Sequence, residues 1–273
     1  MKYELVLFDM DGTLLDTSNS IAMTVNSTMK ELGLKTYPVN DCVKFAGGGV
    51  TGLTKNILEK EKYDIDKELF SKTIRKYYDI YFDYKVEPYK EIPKILDFLE
   101  KNKIKKGIIT NKDHNTALSV AKEKLKKWEF CEIIGSDEKN YPNKPNPYNV
   151  DRISEKFGIP KEKILFVGDM LVDVNTAKNA KVDIAYCKWG FGVIKGEKGI
   201  DESCKIEMAE DIIKKIKTLV NATHVNEDIT SCFKAKKIKI ISKNIEINFD
   251  GEYMSGVDEV EFIVNDKKVE LIM

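Results

Sequence analysis

The sequence predicts an α/β protein: a doubly wound, Rossmann-like parallel sheet, an all-helical cap inserted after the first strand, and a small antiparallel β extension at the C terminus. Three observations support this. Short apolar runs alternate with longer amphipathic stretches, which is typical of parallel sheets. The stretch 16–86 has helical patterns but no strand-like run. Beyond residue 221 the pattern changes: residues 236–273 alternate between apolar and polar, with turn signals at Asp250-Gly251, Ser255-Gly256 and Asn265-Asp266, which indicates antiparallel strands.

Five continuous apolar runs are interpreted as buried parallel strands, which lack the alternation of half-exposed strands. They are residues 3–8, 107–109, 132–134, 164–167 and 183–187. Amphipathic stretches at 92–102, 115–127 and 148–157 are predicted helices, and the last one ends at Gly158 with Pro160 beyond it.

The end of this core is less regular. A glycine-rich loop is predicted at 190–199, a weak strand near Ile206 and a helix at 210–219. We therefore assign the core to residues 1–15 and 87–220.

The inserted stretch is interpreted as a separate lobe. Helices are predicted at 18–32, 52–62 and 66–81, and the lobe spans residues 16–86. It follows the carboxyl end of the first strand, where open α/β sheets bind their ligands. This placement predicts that the lobe covers a binding site.

The C-terminal region divides into a polar linker, 221–235, and a β-rich extension, 236–273. Strands are predicted at 236–242, 245–250, 259–265 and 267–272. So small a set of hairpins has an apolar face that needs cover. Either the core or the same segment of a second molecule can supply that cover, and the long linker favours a homodimer built through the extension.

Composition excludes several classes of partner. The 45 basic and 45 acidic side chains cancel, which argues against nucleic acid as a ligand. No run approaches the roughly 18 apolar residues of a membrane span, and the first residues carry no secretory pattern. The five cysteines lack the spacing of a zinc site or a disulfide framework. The sequence therefore predicts a cytoplasmic protein.

Two carboxylates, Asp9 and Asp11, follow the first predicted strand and precede Gly12. Such close carboxylates repel each other, and a divalent cation would relieve the repulsion. Oxygen ligands favour Mg²⁺. The alternative is an ordinary Asp- and Gly-rich turn at the end of a strand.

Further polar residues follow other predicted strands. Thr110 and Asn111 end the second, Asp169 and Asp173 follow the fourth, and Lys144 lies in the loop after the third. The carboxyl ends of these strands converge on one crevice. The set of carboxylates, hydroxyl and lysine that meets there suits a metal-bound phosphate.

Four segments resemble the motifs of the haloacid dehalogenase (HAD) superfamily, and most closely those of its phosphoglycolate-phosphatase-like members. They are Asp9-Met10-Asp11-Gly12-Thr13, Thr110-Asn111, Lys144-Pro145 and Gly168-Asp169-Met170-Leu171-Val172-Asp173. Three more segments strengthen the likeness to that group: Leu14-Leu15-Asp16-Thr17, Thr110-Asn111-Lys112 and Trp189-Gly190-Phe191-Gly192. The resemblance covers roughly residues 1–220. It implies a hydrolase that acts on a small phosphorylated metabolite.

The resemblance also implies roles in catalysis. Asp9 is the expected nucleophile, which forms an aspartyl-phosphate, and Asp11 is the expected general acid and base. Lys144 is expected to neutralise charge on the transferring oxygens. Asp9, Asp169 and the backbone carbonyl of Asp11 are the expected Mg²⁺ ligands, with Asp173 acting behind them or through a metal-bound water.

Phosphate contacts are implied at two places in the core. Thr110 and the backbone N–H of Asn111 are expected to hold phosphate oxygens. The turn at Gly12 offers backbone N–H groups to the anion, and Thr13 is expected to orient that loop.

The cap carries a loop that resembles the cap loop of phosphoglycolate-type phosphatases. It contains Gly47, Gly48 and Gly49, which are expected to approach the substrate; a plain helix–helix connection is the alternative. The cap cations Lys44, Lys55 and Arg75 are candidates to meet a second anionic group, or else solvated surface charges. His114 and the other histidine are assigned no catalytic role.

The extension weakly resembles the C-terminal β-segment of diacylglycerol-kinase-like lipid kinases, through residues 233–238 and 249–252. That resemblance implies a catalytic role for Glu252. The nucleotide-binding motif of those kinases is missing, so a hairpin turn at Asp250-Gly251 is the preferred interpretation.

These observations leave three hypotheses for function. The first is a Mg²⁺-dependent phosphatase that acts on a small phosphorylated metabolite. The second is a phosphosugar mutase of the same superfamily, which would exchange phosphate between positions of a sugar. The third is a regulatory protein that binds a phosphorylated ligand or a lipid through its β extension.

Overall fold

The computed structural model describes residues 2–137, 140–217, 237–249, 252–265 and 268–272. The chain divides into two compact units, Met1–Val220 and Asn221–Met273. The larger unit holds the predicted core and cap. The smaller one holds the predicted β extension.

The helices of the larger unit are α1 (Ser18–Glu31), α2 (Val39–Val43), α3 (Gly49–Glu61), α4 (Lys67–Tyr81), α5 (Ile92–Lys101), α6 (His114–Lys124), α7 (Tyr148–Phe157), α8 (Leu171–Ala180), α9 (Phe191–Lys195) and α10 (Glu210–Lys217). Its strands are β1 (Leu5–Phe8), β2 (Leu15–Asp16), β3 (Glu87–Pro88), β4 (Lys105–Asp113), β5 (Ile133–Ser136), β6 (Ile164–Gly168), β7 (Asp183–Cys187) and β8 (Lys205–Ile206).

The core is a parallel sheet with the strand order β5-β4-β1-β6-β7-β8. The chain builds β4 and β5 on one side of β1, then crosses to build β6, β7 and β8 on the other. The direction of winding therefore reverses beside β1, and ligands of open α/β sheets bind at such a point. This confirms the fold class predicted from the apolar runs.

Both faces of the central strand are buried, which explains its unbroken apolar sequence. Val6 and Phe8 pack into the core cluster on one face of the sheet. Leu5 and Leu7 pack into the cluster on the other face. A strand buried on both sides holds its carboxyl end rigidly, which matters because Asp9 follows directly.

The cap consists of α1 to α4, and its helices share a hydrophobic cluster of their own. Val25 of α1, Ile57 of α3 and Phe70 and Ile74 of α4 are fully buried in it. The sequence predicted no strand between β1 and Pro88, and the two short strands at the borders of the cap contradict that prediction. β2 and β3 pair in an antiparallel ribbon, Leu15 opposite Pro88, where the chain enters and leaves the cap.

Two core helices were absent from the prediction. α8 follows β6, and its residues lack a strongly segregated apolar face, so its pattern gave little signal. α9 lies within the segment 190–199, which was predicted to be a loop; it is only five residues long. Both helices lie beside the carboxyl end of β6.

In its described residues the smaller unit forms three strands rather than the four predicted: β9 (Lys237–Phe249), β10 (Glu252–Asn265) and β11 (Lys268–Ile272). They form an antiparallel sheet in the order β11-β10-β9. The predicted turn at Ser255-Gly256 was wrong, since β10 continues through it with register shifts between Met254 and Val257 and between Val257 and Glu259. The predicted hairpin turn at residues 250–251 and the linker 221–235 lie outside the described residues.

The homodimer stays a prediction, and its test is simple. We expect the full chain to scatter light as a dimer of the 31.2 kDa subunit, and a chain that ends at Lys217 to scatter as a monomer. The reason is that the predicted apolar face of so small a sheet needs cover, which a second copy can supply. A full-length chain that is monomeric at all concentrations would contradict the prediction.

No helix in the described part of the chain is long and apolar enough to cross a membrane. The cytoplasmic location stays a prediction.

Candidate active site

Three buried carboxylates meet at the carboxyl edge of the sheet. Asp9 follows β1, Asp169 follows β6, and Asp173 lies in the first turn of α8. Their oxygens come within 4.8 Å of one another. Adjacent parallel strands end at the same edge, so the chain places these carboxylates together although about 160 residues separate the first from the others.

Lys144 lies between two of these carboxylates. Its Nζ donates to Asp9 Oδ1 at 2.7 Å and to Asp173 Oδ1 at 2.6 Å. The side chain is almost fully buried, with 2% of its surface exposed. Short, charge-assisted contacts of this kind hold all three groups in place.

The backbone of Lys144 is also fixed. The Asn111 side chain accepts from the Lys144 N–H at 2.8 Å and donates to the Lys144 carbonyl at 3.1 Å. Asn111 lies in β4, so this amide joins the β4 end to the loop that carries Lys144. Its side chain therefore positions the lysine, in addition to the phosphate contact predicted for its backbone N–H.

Asp169 is held from two sides. The Thr13 hydroxyl donates to its Oδ1 at 2.8 Å, and the Phe191 N–H donates to its Oδ2 at 2.6 Å. Thr13 thus lies behind a candidate metal ligand, and its buried hydroxyl orients that carboxylate. The contact from Phe191, at the start of α9, was not predicted.

Like charges dominate this cluster. Burial raises the pKa of Asp169 well above its ordinary value, and the Asp9 and Asp173 carboxylates raise it further. Burial also raises the pKa of Asp9; Lys144 opposes this shift and Asp173 adds to it. One lysine cannot balance three buried carboxylates, so the donor set fits a divalent cation.

Asp11, unlike Asp9, lies outside this cluster of carboxylates. It is half-buried, and its two oxygens lie 3.2 and 3.3 Å from the Nζ of Lys112. Burial alone would lower the pKa of Lys112, but the Asp11 carboxylate and the Tyr78 hydroxyl together outweigh that effect and raise the pKa above its ordinary value. The carboxylate of Asp11 is thus separate from the candidate metal-binding set.

Sequence reasoning assigned no role to Lys112, although a signal was present. Thr110 and Lys112 are two residues apart in β4, and alternate residues of a strand share a face. A role for Thr110 at the site therefore indicated that Lys112 also faces it. The Thr110 hydroxyl oxygen accepts from the Lys112 backbone N–H at 3.2 Å.

The cap closes a pocket over these groups. Core residues Asp9, Asp11, Thr110 and Lys144 line it together with cap residues, among them Ile21, Gly47, Gly48, Gly49, Leu53 and Tyr78. The glycine loop approaches the core closely: a Cβ on Gly49, which has φ +64°, would lie 2.7 Å from the Asn111 carbonyl oxygen. The loop therefore forms part of the pocket wall.

A hydrogen bond and an apolar cluster tie this loop to α9. Lys195 Nζ donates to the Ala46 carbonyl at 2.7 Å. Phe191 packs with Val43 and Ala46 of the cap. Since the Phe191 N–H also contacts Asp169, α9 connects the cap loop with a candidate metal ligand.

The cap cations that the sequence singled out do not line the pocket that contains Asp9. Lys44 is exposed and pairs with Asp41, and the Nζ of Lys55 lies 3.8 Å from Glu59. Arg75 lines two other grooves, one within the cap and one that it shares with Gly48, Gly49 and Asn111. The Nδ1 of His114 accepts from the Gly135 N–H at 3.1 Å, which is a structural contact.

The fold and this site together define a class of enzyme. A family model described as "haloacid dehalogenase-like hydrolase" matches residues 6–187. The chain therefore belongs to this family, and it is a phosphatase with a HAD-type fold.

The chain is also similar to individual phosphatases and to solved structures. The chain is 33% identical over 186 residues to a phosphoglycolate phosphatase of Aquifex aeolicus, a match that covers 68% of this chain and 85% of the relative. It is 30% identical to the phosphoglycolate phosphatase of Neisseria gonorrhoeae, with 68% and 80% covered. A haloacid dehalogenase-like family hydrolase of Streptococcus pneumoniae shares the fold, with a TM-score of 0.66 at 21% identity, covering 79% of this chain and 99% of the other.

Proposed function

We propose that this chain is a Mg²⁺-dependent phosphatase that hydrolyses a small phosphorylated metabolite through an aspartyl-phosphate on Asp9. One observation carries the proposal: a buried Asp9, paired with Lys144 and grouped with two further carboxylates, opens into a pocket beneath the cap. The named activity of the relatives makes phosphoglycolate the first compound to test.

The chemistry needs two proton transfers and two displacements. Asp9 attacks phosphorus, the bond between phosphorus and the leaving oxygen breaks, and Asp11 gives its proton to that oxygen. Asp11 then accepts a proton from water, which attacks the aspartyl-phosphate and frees Asp9 and inorganic phosphate. We assign the first attack to Asp9 Oδ2, because Oδ1 accepts the Lys144 hydrogen bond.

Residues of the core stabilise the negative charge on the transferring phosphate oxygens. Lys144 neutralises a phosphate oxygen, and the Thr110 hydroxyl and Asn111 N–H donate to others. Asp9, Asp169 and the Asp11 carbonyl would hold Mg²⁺, with Asp173 acting behind them or through a metal-bound water. Bound there, the ion supplies charge stabilisation for the transferring oxygens.

The direct test is a screen of phosphorylated metabolites with released phosphate as the readout. Acid-quenched enzyme taken during turnover is then digested, and mass spectrometry locates the covalent phosphate. We expect the phosphate on the peptide that contains Asp9. Turnover of a good substrate with no trapped phosphopeptide at Asp9, under conditions that favour the intermediate, would contradict the mechanism.

The metal has a readout that does not depend on activity. Mg²⁺ that binds only the folded state, at about a hundred times its Kd, stabilises it by about 2.7 kcal/mol. We therefore expect Mg²⁺ to raise the melting temperature of the wild type by roughly 5 to 10 °C.

Asp169→Asn is the matched variant, because asparagine keeps the size of the side chain and an oxygen that can accept from Thr13. We expect it to lose most of the Mg²⁺-dependent rise. Potassium chloride at the same ionic strength controls for salt. An equal rise in the wild type and the variant would place the metal elsewhere.

A further inference from the structure

Lys112 is a buried cation on the pocket wall that the proposed mechanism does not use. Only 4% of its side chain is exposed, and the pocket that contains Asp9 also contains it. Its contacts with Asp11, at 3.2 and 3.3 Å, are long beside those of Lys144, at 2.6 and 2.7 Å. An ammonium has three N–H donors, so its contacts with Asp11 leave it able to donate to a ligand as well.

The second feature is a buried hydroxyl beside it. Tyr78 of α4 is 7% exposed, and its hydroxyl makes no hydrogen bond of normal geometry among the residues that the structure describes, although it interacts with the Lys112 ammonium. The Lys112 Nζ lies 5.3 Å from the centre of its ring. A buried hydroxyl without a hydrogen bond of normal geometry is costly, and Tyr78 lines the same pocket as Lys112. A ligand that accepts a hydrogen bond at this point removes that cost.

The position of Lys112 beside Asp11 places Lys112 and Tyr78 near the leaving group of the substrate. If Asp11 protonates the leaving oxygen, the atoms next to that oxygen lie beside Asp11 and hence beside Lys112. Other residues that line this pocket, such as Ile21, Leu53 and Met170, are apolar. Lys112 and Tyr78 therefore offer a localised pair of donors where the rest of the leaving group lies.

We propose that Lys112 and Tyr78 form a subsite for a negative charge on the leaving group, so that the enzyme selects phosphate compounds whose leaving group carries a second anion close to the leaving oxygen. This inference rests on the proposed function. A carboxylate or a second phosphate provides the same chemistry. A site built to pair such a group rejects an analogue that lacks it, because its own buried donors are then left unpaired.

The experiment compares three compounds. Phosphoglycolate carries a carboxylate next to the leaving oxygen, pyrophosphate carries a phosphate there, and 2-hydroxyethyl phosphate matches phosphoglycolate in size but is neutral at that end. The readout is the ratio of kcat/KM for each anionic compound to that for the neutral one. We expect the wild type to favour at least one anionic compound by roughly a hundredfold or more. The two anionic arms distinguish carboxylate from phosphate.

Two variants test the residues. Tyr78→Phe removes only the hydroxyl, and Lys112→Met removes the charge at similar length. We expect each to lower the ratio by roughly tenfold or more, with KM for the anionic compound rising in Tyr78→Phe. Tyr77→Phe is the control, since the Tyr77 hydroxyl donates to Glu31 on the outer face of the cap.

The outcomes separate the two proposals. A wild type that hydrolyses the neutral compound as well as the anionic ones overturns the subsite, as does a Tyr78→Phe variant with an unchanged ratio. If Lys112→Met fails to fold, the result for Tyr78→Phe decides. Failure of the proposed function looks different: the wild type then hydrolyses none of the compounds with Mg²⁺ present.

Discussion

Asp9→Asn is expected to fold and to release phosphate at least roughly 10⁴-fold more slowly than the wild type, which corresponds to about 5 kcal/mol of added barrier. Asparagine has nearly the shape of aspartate, but its amide is not a nucleophile for phosphorus. The fold should persist because the change removes one charge from a set of mutually repelling carboxylates, and Lys144 keeps Asp173 as a partner. The measurements are steady-state phosphate release and the melting temperature without metal.

Asp64→Asn is the control for this variant, since Asp64 is an exposed cap residue. It should retain the wild-type rate and stability. Phosphate release by Asp9→Asn within tenfold of the wild type would remove Asp9 from the role of nucleophile. A variant that is unfolded would call for Asp9→Glu, which keeps the charge and displaces the carboxylate by one methylene.

The sheet and the set of carboxylates were predictable for one physical reason. Buried parallel strands are continuous apolar runs, and their carboxyl ends meet at one edge. The order of residues along the chain is therefore enough to predict that those following such runs, among them Asp9, Thr110 and Asp169, are neighbours in space. Lys144 needed the family resemblance as well, because it lies in a loop whose course no pattern specifies.

Contacts between the cap and the core could not be predicted in this way. Tyr78 belongs to α4, and the apolar pattern of that helix predicts that one face is buried. The pattern does not predict which residues this face packs against. The position of Tyr78 beside Lys112 depends on the closed arrangement of the two lobes, which pack at residues far apart in the chain. The same holds for the hydrogen bond from Lys195 to Ala46.

The errors in the secondary-structure prediction have local causes. At Ser255-Gly256 small and flexible residues predict a turn, but such residues also suit the register shifts that the long strand β10 contains there. At 190–199 several glycines favoured a loop, and the five-residue helix α9 was hidden between Gly190 and Gly196. This second error concealed the segment that contacts Asp169.

Gly190 directly precedes α9, and its backbone lies so close to Asp169 that there is no room for a side chain. A Cβ on Gly190 would lie 2.3 Å from the Asp169 Cβ and 2.4 Å from its Oδ2, which is too close for either group to stay in place. The Asp169 side chain is fully buried and cannot move aside freely. The strain of the substitution therefore falls on a candidate metal ligand rather than on the backbone of Gly190, whose φ of −94° any residue adopts.

We expect Gly190→Ala to lower phosphate release by about a hundredfold, because a displacement of about 1 Å at a reacting group has an effect of that size. The Mg²⁺-dependent rise in melting temperature should shrink in parallel. Gly196→Ala is the control from the same segment: Gly196 has φ +70° and open space around its Cα. It should lose about 1 kcal/mol of stability from backbone strain and keep its kcat. If Gly190→Ala retains the rate and the metal response of the wild type, contact between this segment and Asp169 does not position the metal ligand.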